Sequence, residues 1–539
     1  MITVYSARKI ITMDRNCPEA THVAVRDGMI LAVGGADCAD GWGEARIDDR
    51  FADAVIMPGL IEAHAHVIAG GIWRYTYCGH YARTDPDGRV WDGVGTYDAL
   101  IERLRKVAAE TPAGQPVVGW GADPNFLEGR RLDKIHLDQV STKHPVAVAH
   151  SNFHLVSANS MALEKAGLDA GTNIEGVVRG ADGTPNGELQ EFAAMGPVMD
   201  VTGMNFSDLA DEAGLRAYGH VARTCGVTTV AELLSDLHEE EVAMIERVVH
   251  EPSFPARYVP IMNAMVDAPE VEAARAVSLR PRSTDKLYLG RAKLFTDGAI
   301  QGYTAKLKAP GYFKGEDHGC WNMTPEHFAA AVMALHKAGV KMHIHTNGDA
   351  ASELAIEALE AAMLVSPNPD LRHTLEHVQL AGRDQFKRIK ALGATVNLFG
   401  NHLYYFGDVH WTRTIGPDRA RRMNACRDAA DIFDGEFAIH SDAPVTPMAP
   451  LFTAWAAVNR MTEGGRTLGN SQQITVPQAL HCITLGAAHV LKLDHAVGSI
   501  QTGKFADFCV LGEDPLSVDP KALKDVPIMA TVLGGEVTA

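Results

Sequence analysis

Between residues 58 and 496 the chain alternates short β-like runs with helix-like ones. The first run leads from Ala54, Val55, Ile56 and Met57 through to His64-Ala65-His66. Seven more follow at 227–231, 256–261, 292–295, 340–345, 373–377, 394–398 and 437–442, with helical stretches such as 326–337 and 351–364 between many of them. This alternation predicts an α/β fold with a parallel sheet. Eight units predict a TIM-type (β/α)8 barrel, with its chemistry at the C-terminal ends of the strands.

The two ends of the chain differ from this pattern and match each other. Residues 1–57 read as short strands with turns, including an Asp27-Gly28 hairpin signal, and a similar texture returns at 498–500, 506–511 and 529–533. The expectation is a small β-sandwich domain built from 1–57 plus 497–539, with the barrel domain, 58–496, set between its halves. About 150 residues separate the first two barrel strands, more than one helix needs. This insertion, 70–225, holds Trp73, Tyr75, Trp120, Asp123, Phe153 and His154. A lid or substrate wall at the catalytic mouth and an independent excursion are equally open readings of it.

Composition narrows the classes of partner. A net charge of -18 over 539 residues argues against nucleic acid or an anionic membrane surface. The 8 cysteines are scattered without a CxxC pair, which suits reduced thiols and a cytoplasmic location. The opening MITVYSARKIITMD has no basic region followed by a long apolar core, and no membrane span is expected.

His64 and His66 alternate, so an extended strand would send both imidazoles into one space. Neutral imidazole is the commonest protein ligand for zinc-like metals, although a lone HxH is as often two ordinary histidines. Four more polar residues stand at or near the ends of β-like runs: Lys293, His345, His377 and Asp442. In a barrel these six side chains would converge over one face.

PGLIEAHAH, KLFTDGA, HIHTNGDAA, LEHVQL and HSDAPV, in that order, resemble successive signatures of the amidohydrolase superfamily. Their forms are most similar to its amidohydrolase-3 branch, which includes N-substituted formamide deformylases. GWGADPN, the 132–163 stretch, DGTPNGELQE and GSIQTGKFADFCVL extend the resemblance across almost the whole chain. It implies two divalent metal ions, most simply zinc, with iron or manganese as alternatives, held by His64, His66, Lys293, His345, His377 and Asp442. Lys293 would be N6-carboxylated and bridge the metals; otherwise it would snorkel or pair with Asp297. A bridging hydroxide would attack the carbonyl of a small amide, with Asp442 as general base and then acid. A plain ligand or a helix cap is the other reading of Asp442. His154 would donate to substrate or oxyanion, or else is a satisfied histidine. Asp297 and Asp349 would organise loops, and His343, His402, His410 and His440 would be structural, with His440 sharing the face of Asp442.

The implied function is a metal-dependent hydrolase of a carbon–nitrogen bond. An ester, lactone or carbamate hydrolase is the alternative, followed by a one-metal deaminase and a non-catalytic scaffold. Departures at Asn347, Gln301 and Tyr303, and the aromatic stretch 397–411, leave specificity open. An aromatic or planar substrate and a homo-oligomer are both compatible with the sequence.

Overall fold

Each β-like run of the central region supplies one strand to a single parallel sheet in the computed structural model, which describes residues 1–127, 129–205, 207–313, 315 and 318–538. The strands are β1 (Leu60–Ala65), β2 (Val227–Ser235), β3 (Arg257–Asn263), β4 (Ala292–Phe295), β5 (Met342–Thr346), β6 (Thr374–His377), β7 (Thr395–Phe399) and β8 (Ala438–His440). They pair in chain order, every pair parallel. Two backbone bonds close β8 onto β1: Asp442 N–H to the His64 carbonyl (3.1 Å) and His66 N–H to the Ala443 carbonyl (2.7 Å). The seam of the TIM-type barrel therefore runs through candidate site residues.

The strands are buried on both faces, as helices on the outside of a parallel sheet require. The helix Pro325–Lys337 shows how the sequence makes one. Thr324 accepts the His327 N–H in its cap (3.3 Å), Pro325 takes the first turn, and Phe328, Val332 and Leu335 form the buried stripe. Such a cap contributes about 1 kcal/mol.

Both chain ends enter one further sheet. Its strand Ile2–Ile11 pairs with Glu19–Arg26, Ala45–Asp48 and Val55–Pro58, and Val55–Pro58 pairs in turn with Phe508–Leu511. Asp27 and Gly28 make the expected hairpin, both with positive φ (53° and 77°). The apolar run 54–57, read from sequence as leading into the HAH strand, belongs to this sheet instead. The chain changes sheets at Pro58-Gly59, where a Cβ on Gly59 would lie 2.0 Å from Thr228 Oγ1. Only glycine fits that close approach.

The chain folds as two compact units, one formed by Met1–His66 with Gly219–Ala539 and the other by Val67–Tyr218. The second unit has its own six-stranded sheet and its own core, including Leu100, Leu104, Val117 and Val148. Trp120 is buried there against Trp73 (5.0 Å between rings) and Tyr77 (4.8 Å). Asp123 accepts from Ser151 Oγ (2.6 Å) and from Asn125. Among the described residues no helix is long and apolar enough to cross a membrane.

Candidate metal centre

At the end of β1, His64 and His66 both turn toward the loop after β8. The Nε2 atoms of both rings stand 3.3 Å from Asp442 Oδ1. Their Nδ1 atoms face buried carboxylates: His64 meets Glu376 Oε2 at 2.7 Å and His66 meets Glu232 Oε1 at 3.2 Å. An Nδ1–H donated to a carboxylate leaves Nε2 as the lone pair that a metal needs. With both rings neutral, two lone pairs and a carboxylate oxygen then face one another, an arrangement that a cation between them resolves.

The other predicted residues lie in the same region of the barrel. His377 Nε2 is 3.1 Å from His345 Nδ1, and the His64 and His377 ring centres are 4.5 Å apart. His345 Nε2 lies 3.1 Å from the Gly298 carbonyl and 3.0 Å from Asn347 Nδ2. Lys293, on β4, is completely buried, and its Nζ has no hydrogen-bond partner among the described residues. Asp297 is not that partner: it accepts backbone N–H groups of Lys306, Asn347 and Gly348 and so shapes the loop. His154 lies in the second unit, where its own N–H donates to Asn152 Oδ1 at 3.0 Å.

Two ligand-type clusters emerge among the described residues, His64/His66/Asp442 and His64/His377/His440, each with its donor atoms within 4.8 Å. The backbone is left-handed at His377 (φ 67°), Val378 (38°) and Asp442 (54°). Such non-glycine conformations cost on the order of 1–3 kcal/mol each and collect at functional sites.

Burial dominates the electrostatics. It lowers Lys293 to about 8, against the opposing pull of Glu376, Asp442 and Glu232. It raises Glu376 and Glu62 to about 8, and Asp297 to about 7; a cation held by His64 would oppose that rise at Glu376 and favour its carboxylate form. Burial also works against a charged His66, but its hydrogen bonds to Asp442 and Glu232 outweigh that and lift it to about 9. Burial pushes Asp442 upward, and the surrounding histidines, His66 first, hold it below the ordinary carboxylate range.

Sequence reasoning passed over the carboxylates behind the ligand-type groups. Glu376 also holds His343 Nδ1 (2.6 Å) and Asn397 Nδ2 (2.9 Å), tying β6 to β1, β5 and β7. Glu62 accepts the Ser441 hydroxyl at 2.6 Å, next to Asp442. For Glu376 and Glu62 the signal was present: a glutamate within two residues of a candidate ligand, inside a run otherwise too apolar for an exposed strand.

The profile of the amidohydrolase family matches residues 52–539. The chain belongs to that family, in its amidohydrolase-3 branch. This amidohydrolase is 27% identical to protein LONG AFTER FAR-RED 3 of Arabidopsis thaliana, over 98% of this chain and 90% of that protein. It is 25% identical to N-substituted formamide deformylase of Arthrobacter pascens, over 97% and 96% of the two chains. The solved structure of an uncharacterized metal-dependent hydrolase from Pyrococcus horikoshii superposes with a TM-score of 0.73 at 20% identity, covering 96% of this chain and 99% of that one, and shares the fold. The protein is a metal-dependent hydrolase.

Proposed function

We propose that this amidohydrolase cleaves a carbon–nitrogen bond of a small amide at the upper end of the barrel, with two metal positions held by His64, His66, Lys293, His345, His377 and Asp442. The observation that carries the reading is the convergence of His64 and His66 on Asp442, 3.3 Å from each, together with a buried Lys293 whose Nζ has no hydrogen-bond partner among the described residues. An ammonium repels divalent cations. A lysine lowered to about 8 by burial keeps a share of neutral amine at pH 7, and that amine adds CO2 to become an anionic oxygen ligand. Bound divalent ions, zinc best suiting the nitrogen and oxygen ligands and iron or manganese also fitting, supply Lewis acidity that acidifies water and polarises a carbonyl.

The chain's own part is positional and acid–base. Glu376 and Glu232 fix the tautomers of His64 and His66. Asp442, kept ionised by its histidine neighbours, takes the proton of the attacking water and returns it to the leaving nitrogen. The name of the Arthrobacter relative supports an N-substituted formamide as the first substrate to try. The test is metal content per chain with an activity panel of amides, esters or lactones, carbamates and amino-heterocycles, on the parent and on Lys293→Ala. About two equivalents, lost to one or none in the variant together with amide hydrolysis, is the expected outcome. One equivalent unchanged by the substitution overturns the bridging lysine, and turnover of esters or amino-heterocycles alone overturns the amide. His154→Asn in the same panel tests binding by the second unit: kcat/KM falls with metal content unchanged if His154 donates to substrate.

A further inference from the structure

Three of the ring nitrogens that turn away from the site, those of His64, His66 and His377, do not meet the same kind of group. His64 and His66 each face a carboxylate, Glu376 at 2.7 Å and Glu232 at 3.2 Å. His377 faces a neutral ring instead: its Nδ1 lies 3.0 Å from His440 Nε2. His440 is completely buried, stacked on His64 (4.6 Å between ring centres, 17° between planes), and its Nδ1 has no partner among the described residues.

We propose that His440 makes the two metal positions unequal, the position of His64 and His66 binding tightly and that of His377 binding weakly. This rests on the two-metal reading above. An anionic acceptor strengthens the hydrogen bond roughly twofold over a neutral one and raises the basicity of the ligand nitrogen. The neutral pair has a second handicap. For His377 to ligate through Nε2, its proton must sit on Nδ1 and be donated to His440 Nε2. His440 then carries its own proton on Nδ1, where no acceptor meets it, and a buried unpaired N–H is costly. In the opposite tautomer His440 Nε2–H donates to His377 Nδ1, and His377 carries its proton on Nε2. That nitrogen stands 3.1 Å from His345 Nδ1, which accepts the proton and leaves His377 unable to ligate. The metal-free pair thus prefers the blocked state, and ligand binding there must reverse two tautomers.

The test is a Zn2+ titration of chelator-stripped full-length protein against a competing chromogenic chelator. Two equivalents are expected in two steps, the second weaker by about tenfold or more. His440→Glu places a carboxylate behind His377 and is expected to tighten the second step by about tenfold while leaving the first in place. Glu376→Gln is expected to weaken the first step by roughly 10–100-fold, and it keeps the proposal falsifiable if His440→Glu does not fold. Two indistinguishable steps in the parent, or a His440→Glu effect confined to the first step, overturn the inequality and leave the two-metal reading standing. A single equivalent in the parent overturns both.

Discussion

At the lower end of the barrel His336 and His373 meet at 2.9 Å, much as His345 and His377 meet at 3.1 Å at the upper end. Below, the hydrogen bonds run in one direction and close. Met342 N–H donates to His373 Nδ1 (3.1 Å), His373 Nε2–H to His336 Nδ1, and His336 Nε2–H to the Ser366 carbonyl (2.6 Å). Every ring nitrogen has one neutral partner. Above, ring nitrogens converge on Asp442, buried carboxylates stand behind two of them, and Lys293 Nζ and His440 Nδ1 are left without hydrogen-bond partners among the described residues. A cluster of histidines is therefore no sign of a metal by itself. What distinguishes the upper one is lone pairs and a carboxylate aimed at a common point.

The largest effect expected from this contrast is at Asp442. Asp442→Asn removes the proton acceptor and lowers kcat/KM on the best amide by on the order of 10²–10⁴-fold, read by steady-state kinetics, with the thermal midpoint little changed. Retained activity would make Asp442 a ligand only. The lower cluster answers with stability instead. His373→Leu strands the Met342 N–H and costs about 1–3 kcal/mol in urea unfolding, while metal content per folded chain stays at the parent value. Metal loss in that variant would erase the distinction between the two ends.

The third effect is read as a slope, and it concerns the seam. Glu62 is raised from 4.5 to about 8 by burial, so between those values the folded chain keeps a proton that the unfolded chain releases. Stability of the metal-free protein then falls as pH rises through that window, by at most ~1.4 kcal/mol per pH unit from this group. Glu62→Gln should flatten that slope in unfolding midpoints taken at pH 5, 6, 7 and 8. An unchanged slope would mean that Glu62 is already ionised in the fold.

Much of this was legible in the chain. All eight barrel strands stand where alternation of apolar β-like and helical runs put them, because a parallel strand buried on both faces has few sequence forms open to it. His64, His345, His377 and Asp442 are close together because they end strands that the barrel gathers. Glu376 and Glu62 carried only the signal of a glutamate close to a candidate ligand in an apolar run, and Glu232 lacked even that; only the neighbouring strands reveal what each carboxylate meets. The run 54–57 misled because apolar residues of two different sheets are separated by a single glycine. The sequence also could not say which way His440 would face, and alternation with Asp442 was the sole hint.

That single glycine has a consequence for register. The sheet shared by both chain ends releases the backbone at Pro58, and β1 begins at Leu60. His64 is thus only six residues beyond a strand pinned on both sides, by Ile2–Ile11 and by Phe508–Leu511. In a strand, a slip of one residue sends every side chain to the opposite face. The peripheral sheet acts as a ratchet pawl for the first barrel strand: it sets the phase of the alternation by which His64 and His66 point inward rather than into the surrounding helices.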